Sequence, residues 1–250
     1  MLKIIALALA SAALAMPAAA APAAKPNIVL VHGAFADAAG WGPVISILQR
    51  DGYEVTAVEN PLQSLDGDVA NTKRVVSNQT GPVVLVGHSY GGAVITGAAA
   101  GNPNVKALVY VAAIVPDANE PVAAFLGKYP TDLGTAQDVD KGGYVSIKRD
   151  KFRSVFAADL PEGDTAVAAA TQKPIAGSAF LASVPVAAWK TIPSWYVVSK
   201  QDHALSPDLE RFYAKRIGAR TTEIDASHVV FISHAKEVAK IIEEAASSTR

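Results

Sequence analysis

The sequence predicts an α/β fold, in which helices cover a doubly wound, mostly parallel sheet and a small helical cap lies over one edge. Three observations support this prediction. Short apolar runs alternate with helical segments along most of the chain. One of these runs, at residues 83–86, leads directly into a glycine-rich turn and a helix of small residues. The alternation is lost between residues 116 and 193 and then returns, which is typical of a functional insertion.

The composition fits one domain with a large core, since the chain has 250 residues and 50% of them are hydrophobic. The formal net charge of −1 provides no excess of positive charge that would attract nucleic acid or an anionic membrane. Cysteine is absent from the sequence, which excludes disulfides, thiolate chemistry and cysteine-ligated metals.

The first 20 residues have the pattern of a secretory signal peptide. Lys3 provides a positive charge, residues 4–15 form an apolar stretch that is short for a membrane span, and residues 18–20 are small. We therefore expect a periplasmic or secreted protein that has no stable membrane insertion after cleavage and whose folded domain covers residues 25–250. An uncleaved membrane anchor is the alternative interpretation.

The predicted elements follow the order expected of a parallel sheet. Strands are predicted at residues 27–31, 53–58, 83–86, 105–113, 194–199 and 220–224. Helices are predicted at residues 42–50, 66–78, 93–100, 207–217 and 233–245. Residues 116–193, which we call the cap segment, mix Gly and Pro breakers with alanine-rich pieces and scattered aromatic residues. We interpret this segment as a cap over the C-terminal edge of the sheet, with ordinary peripheral helices as the alternative.

The chemistry is expected at Ser89, within the sequence Gly87-His88-Ser89-Tyr90-Gly91. A serine at so tight a strand-to-helix turn is forced outward, and the two glycines let the neighbouring backbone pack closely. The following helix directs its N-terminal N–H groups at the group that Ser89 attacks. A chance match is the alternative. A phosphate-binding loop fits less well, because the segment has neither Gly-x-Gly-x-x-Gly nor a Lys-Ser/Thr pair after its glycines.

A serine nucleophile needs a base within hydrogen-bond reach and a carboxylate that orients this base. Ser89, Asp202 and His228 each follow a predicted strand directly, and loops at the C-terminal ends of parallel strands converge. We assign Ser89 as the nucleophile, His228 as the general base and then acid, and Asp202 as the orienting carboxylate. Asp225, close to His228 in sequence, and Asp117, after the preceding strand, are rival acids.

The other histidines are expected to be solvated or to support the site. His203 is adjacent to Asp202 in sequence, and His234 is expected in or near the last helix. His88 is predicted to brace the Ser89 turn and, together with Phe35, to contact the substrate. His32 is expected to position the loop after the first strand.

An oxyanion needs two preorganised N–H donors, each worth roughly 3 kcal/mol of barrier. The backbone amide of Tyr90, directly after the nucleophile, is one predicted donor. The other is expected from the loop that starts at His32, with Ala34 as the candidate. A simple strand-ending turn is the alternative interpretation of this loop.

Taken together, these residues resemble the α/β-hydrolase superfamily over the whole mature chain. The resemblance is carried by residues 31–35 with Trp41, by residues 87–92, by Asp202 with residues 207–218, and by Gly218-Ala219 leading to Ser227-His228. It is closest to the small-cap branch of bacterial carboxylesterases, plant methylesterases and hydroxynitrile lyases. The resemblance implies the Ser89–His228–Asp202 triad, oxyanion donors at Ala34 and Tyr90, and neither a metal nor an organic cofactor. It does not give the substrate, because the cap is the variable part; a small-molecule ester is the expected partner.

Hydrolysis of small or medium carboxylic esters through an acyl-enzyme on Ser89 is the predicted function. Cyanohydrin cleavage is one alternative, but the lyases of this branch have lysine and threonine where this chain has Val229 and Gly33. Without the positive charge of such a lysine, the cyanide anion would leave into an apolar site with no partner, and burying an unpaired anion costs free energy. A cap lysine would have to compensate, the candidates being Lys128, Lys148 and Lys151. The other alternative is a non-catalytic ligand receptor on the same scaffold. The sequence does not indicate the oligomeric state.

Overall fold

The computed structural model of the protein describes residues 25–249. The predicted signal peptide at residues 1–20 lies outside this range. Within it, no helix has both the length and the apolar character needed to cross a membrane.

The first half of the described chain alternates strands and helices as predicted. The strands are β1 (Asn27–Val31), β2 (Val55–Val58), β3 (Val83–His88) and β4 (Val105–Val111). The helices are α1 (Gly42–Arg50), α2 (Leu65–Ser77) and α3 (Gly91–Ala98). Every residue of β3 and of α3 is buried. This burial on all sides explains why β3 is a continuous apolar run and not an alternating one.

The cap segment contains helices and also a small second sheet. Its helices are α4 (Leu133–Ala136), α5 (Arg149–Phe156) and α6 (Glu162–Thr171), and its strands are β5 (Gln137–Val139), β6 (Tyr144–Ile147) and β7 (Ile175–Ala176). The three strands pair antiparallel in the order β5-β6-β7. These strands were not predicted from the sequence, because runs of two to four residues are too short to show an alternating apolar pattern.

The last part of the chain returns to the main sheet with β8 (Ser194–Ser199), α7 (Pro207–Arg216), β9 (Arg220–Ile224), α8 (Val230–Ser233) and α9 (Ala235–Ser247). The helix predicted at residues 233–245 corresponds to α9, and the short α8 before it was not predicted. The break between them falls at His234, whose φ of −122° and ψ of 42° lie outside the helical region.

The main sheet of the described residues has six parallel strands in the order β2-β1-β3-β4-β8-β9. The chain moves outward from β1 to β2 and then returns to place β3 on the other side of β1. The strand order therefore reverses between β1 and β3, which is where doubly wound sheets bind their ligands. The loop after β1 and the turn at Ser89 meet at this point.

The N-terminus of α3 packs so closely against neighbouring backbone that it has no room for a side chain. A Cβ on Gly92 would meet the carbonyl oxygen of Ile114 at 2.5 Å, and a Cβ on Gly91 would meet the carbonyl oxygen of Val31 at 2.6 Å. Real Cβ atoms do not approach backbone this closely. These two glycines therefore set the position of α3, and with it the turn at Ser89, against the sheet.

We expect Gly92→Ala to lower the free energy of unfolding by roughly 1–3 kcal/mol, because the carbonyl of Ile114 is backbone and cannot swing away. The melting temperature would fall by roughly 2–4 °C for each kcal/mol. Gly163→Ala in α6 is the control, since nothing lies within 4 Å of a Cβ at that position. Calorimetry that finds equal melting temperatures for the two variants would contradict this account of the packing.

Candidate active site

Ser89 lies in a strained turn between β3 and α3. Its φ of +53° is in the left-handed region, which costs a residue with a side chain about 1–3 kcal/mol. Two hydrogen bonds attach the turn to β4 and the residues after it: the Ser89 N–H donates to the carbonyl of Val111 (3.1 Å), and the Ser89 carbonyl accepts from the N–H of Ile114 (3.0 Å). The turn leaves Ser89 partly exposed, while His88 and Tyr90 on either side are buried.

His228 and Asp202 form a buried pair at the C-terminal edge of the sheet. Nδ1 of His228 lies 2.5 Å from Oδ2 of Asp202, and the two residues are 2% and 5% exposed. The other carboxylate oxygen, Oδ1, accepts the N–H groups of Ala204 (2.7 Å) and Leu205 (2.8 Å). With Nδ1 donating to the fixed carboxylate, Nε2 of His228 is the nitrogen left to accept a proton. His228 and Ser89 line the same cavity.

The Ala34 and Tyr90 amides are placed to act as hydrogen-bond donors for a ligand. Ala34 lines the cavity with Ser89, and Tyr90 follows Ser89 directly. Neither N–H donates a hydrogen bond to a residue within 25–249. Because buried N–H groups rarely lack an acceptor, these two are available to an oxygen atom that a ligand brings into the cavity.

His32 orients the Ala34 amide through the preceding carbonyl. Nε2 of His32 accepts the N–H of Asn60 (2.9 Å), so Nδ1 carries the hydrogen and donates to the carbonyl of Gly33 (2.8 Å). The carbonyl of Gly33 and the N–H of Ala34 belong to one planar trans peptide and point in opposite directions. Burial lowers the pKa of His32, which favours the neutral form that this arrangement requires.

His88 supports His228 from behind and does not line the cavity. It is fully buried, and its Nε2 donates to the backbone carbonyl of His228 (3.0 Å). Burial, and then the proximity of His228, hold the pKa of His88 well below its ordinary value. This placement fits the predicted bracing role and not the predicted substrate contact. Phe35, the other predicted substrate contact, does line the cavity.

The active-site cavity, which Ser89 and His228 line, has a volume of about 290 Å³. Most of its wall is apolar, and much of that wall comes from the cap segment, including Leu126, Val145, Phe156 and Phe180. None of the described residues that line it is a lysine, an arginine or a carboxylate. The cavity therefore favours an uncharged, largely apolar ligand.

The rival residues lie outside the cavity. Each has a partner of its own, namely Asp225 with Lys200 (2.8 Å), Asp117 with Lys190 (2.5 Å), His203 with Asp132 (2.9 Å) and His234 with Ser233 (3.0 Å). Within residues 25–249 no group of three or more His, Asp or Glu side chains is arranged to hold a metal ion.

Sequence reasoning missed two carboxylates that support the site. Asp159, in the cap segment, accepts both the N–H (3.0 Å) and the hydroxyl (2.5 Å) of Ser227, the residue before His228. Glu210, on α7, is fully buried, and its Oε2 accepts the N–H of Ser199 (3.0 Å). The signal for Glu210 was available, because it occupies a position one helical turn from Tyr213 on the buried face of α7.

The environment of Glu210 favours the protonated form of its carboxyl group. Burial, and then the nearby Asp202 carboxylate, hold the pKa of Glu210 well above its ordinary value. The unfolded chain releases this proton in the ordinary carboxyl range, so the free energy of unfolding falls as the pH rises from that range toward the raised pKa of the folded protein.

We expect Glu210→Gln to stabilise the protein at neutral and alkaline pH, with a gain in melting temperature that is larger at pH 8 than at pH 5. The amide keeps the shape of the protonated carboxyl and cannot ionise. The exposed Glu54→Gln is the matched control and should show no such trend. Thermal unfolding across this pH range tests the prediction, and a gain that does not vary with pH would contradict it.

Comparison with known proteins agrees with this architecture. Residues 28–241 match the model of the Alpha/beta hydrolase family. Methylesterase 8 of Arabidopsis thaliana is 26% identical over 211 residues, which are 75% of this chain and 76% of that protein. An alpha-hydroxynitrile lyase of Arabidopsis thaliana is 32% identical over 130 residues, or 45% of this chain and 50% of that protein.

The crystal structure of polyneuridine aldehyde esterase has the same fold, with a TM-score of 0.79 at 19% identity over 88% of this chain and 99% of that chain. These relatives support the plant methylesterase-like branch of the family. The match over most of the length and the parallel sheet lead to one conclusion: the chain belongs to the alpha/beta hydrolase family.

Proposed function

We propose that the protein hydrolyses small or medium, uncharged carboxylic esters through an acyl-enzyme on Ser89. The observation that carries the proposal is the 2.5 Å contact between Asp202 and His228 beside the cavity that Ser89 lines. The names of its relatives, methylesterase 8 and polyneuridine aldehyde esterase, support ester cleavage as the reaction class.

In the first half of the proposed reaction, Nε2 of His228 takes the proton of the Ser89 hydroxyl, and Oγ bonds to the ester carbonyl carbon. The carbonyl electron pair moves to oxygen, where the N–H groups of Ala34 and Tyr90 stabilise the charge. Asp202 stabilises the imidazolium that forms. The tetrahedral intermediate then expels the alcohol, whose oxygen takes the proton from His228, and the acyl group stays on Ser89.

In the second half, a water molecule gives a proton to His228 while its oxygen bonds to the acyl carbon. The oxyanion forms again at the same two N–H groups. The bond between the acyl carbon and Oγ breaks, Ser89 regains its proton from His228, and the carboxylic acid leaves. The Ser89 side chain returns to its starting state, so the cycle needs only the ester and water.

Cyanohydrin cleavage deserves a test because an alpha-hydroxynitrile lyase is among the relatives. Two features argue against it. A Cβ on Gly33 would meet Cβ of Ser89 at 2.6 Å, so threonine at this position would displace the nucleophile. The described residues that line the active-site cavity also include no lysine or arginine that could receive cyanide, and Val229 follows His228. The cap lysines have other contacts, with Lys128 over the ring of Phe125, Lys148 on the carbonyl of Thr135 and Lys151 on Asp150.

We expect Ser89→Ala to reduce turnover of a p-nitrophenyl acyl ester by roughly 10⁴- to 10⁶-fold, because no group replaces the attacking oxygen. Release of p-nitrophenol measures the effect, and circular dichroism checks that the variant is folded. Near wild-type hydrolysis by Ser89→Ala would refute the nucleophile. Efficient release of cyanide from mandelonitrile with negligible ester turnover would instead favour the lyase.

Asp202→Asn should lower turnover by about 10⁴-fold, because an amide in place of the carboxylate favours the wrong tautomer of His228. Asp225→Asn is the matched control: this rival acid is exposed and pairs with Lys200, so its activity should stay within a few-fold of wild type. Steady-state kinetics of both variants decide between the two carboxylates. A larger loss in Asp225→Asn than in Asp202→Asn would rule out the assignment.

A further inference from the structure

A second apolar cavity lies behind the active-site cavity, between the cap helices and the core. Its volume is about 90 Å³. Apolar side chains from both layers line it, among them Phe152, Leu160 and Ala168 from the cap segment and Val229 and Ile232 from the core. No role in the proposed reaction has been assigned to this space.

Two phenylalanines separate the two cavities, since Phe35 and Phe156 line both. Their ring centroids are 6.2 Å apart, and the rings meet edge to face at 81°. Both residues are almost fully buried, at 4% and 3% exposure. The ring of Phe156 also lies 4.9 Å from the ring of His228. The wall between the cavities therefore stands directly beside the reacting groups.

The two halves of this wall come from different layers of the protein. Phe156 is the last residue of α5 in the cap segment. Phe35 follows Ala34 in the core and has a φ of +61°, a conformation that is rare and costly for a bulky side chain. The backbone thus holds the Phe35 ring in place at an energetic cost, which points to a function for its position.

Resting on the proposed esterase function, we propose that Phe35 and Phe156 set the length of the aliphatic chain that the active site accepts. When one of these side chains is shortened and the wall is thereby opened, the second cavity becomes a subsite for the end of a longer chain. Its lining contains no lysine or arginine among the described residues. Asp37 is among the residues that line the second cavity, and its negative charge disfavours an anionic chain end. The ligand class is therefore a linear, uncharged alkyl chain.

The size of the second cavity predicts how much longer the accepted alkyl chain becomes when the wall is opened. A volume of about 90 Å³ holds roughly three methylene groups, if each takes about the 30 Å³ that a water molecule occupies in the liquid. Burial of one methylene group is worth roughly a fourfold change in an equilibrium constant. Opening the wall should therefore raise kcat/KM for chains that extend beyond the active-site cavity by up to about 60-fold.

The test uses Phe156→Ala to open the wall and Ala168→Phe to fill the second cavity from its far side. kcat/KM is measured on two series, p-nitrophenyl alkanoates and alkyl acetates, in which the chain is lengthened by single carbons until turnover is lost. We expect Phe156→Ala to move the length limit upward by about three carbons in at least one series. Adding Ala168→Phe should return the limit to that of the wild type.

Phe180→Ala is the matched control, because Phe180 lines the active-site cavity and not the second cavity. If Phe180→Ala accepts longer chains than the wild type, the double variant with Ala168→Phe should accept the same chain lengths as Phe180→Ala. The proposal would be overturned if Phe156→Ala left the chain-length profile unchanged. It would also be overturned if Ala168→Phe changed the length limit equally in the Phe156→Ala and Phe180→Ala variants. Phe156→Leu and Ala168→Leu replace the larger changes if those prevent folding.

A binding measurement separates this proposal from the proposed function. Linear alcohols of increasing length are titrated by calorimetry into Ser89→Ala, with and without Phe156→Ala. A shift of the affinity optimum toward longer alcohols supports the subsite even if the protein hydrolyses no ester. If the wild-type protein hydrolyses esters but neither the profile nor the affinity shifts, the subsite alone is refuted.

Discussion

The left-handed backbone at Ser89 is the constraint on which the rest of the active site depends. This conformation is unfavourable for a residue with a Cβ, so its surroundings must hold it. Glycine makes this possible: a Cβ on Gly87 would meet the carbonyl oxygen of Gly91 at 2.5 Å. Close backbone packing and the hydrogen bonds to β4 and the residues after it therefore replace side-chain contacts around the turn. The result is a hydroxyl that stands at the edge of the sheet, facing a cavity.

Three buried imidazoles stand around this turn, and their hydrogen-bond partners give each a different task. His32 accepts from an amide and donates to a carbonyl, so it orients a peptide group. His88 donates to the backbone of His228 and so holds that residue in place. Only His228 faces both a carboxylate and the cavity. Burial lowers the pKa of His32 and of His88, which keeps extra positive charge away from the reacting groups.

The cap segment is attached to the core at several points, so it forms a fixed wall of the cavity. The contacts are Asp159 with Ser227, Glu120 with Arg216, and the N–H of Ala176 with the carbonyl of Leu62 (2.9 Å). One of them acts on the residue next to His228, so the cap helps to position the proposed base. The same segment supplies Phe156, whose ring separates the two cavities. Cap and core thus contribute jointly to the proposed chemistry and to the proposed chain-length limit.

The sequence by itself determined the main sheet, its helices and the candidates Ser89, Asp202 and His228. Buried parallel strands need continuous apolar runs, and the turns that end them leave a local pattern. Asp202 and Asp225 both follow strands, however, and only the tertiary structure brings one of them to His228. The tertiary structure also decided the roles of Asp159, Glu210 and the Phe35–Phe156 wall. These depend on contacts between residues far apart in the chain. The strands of the cap segment are too short for a periodic signal, and the apolar face of α5, which includes Phe156, does not indicate the residue against which it packs.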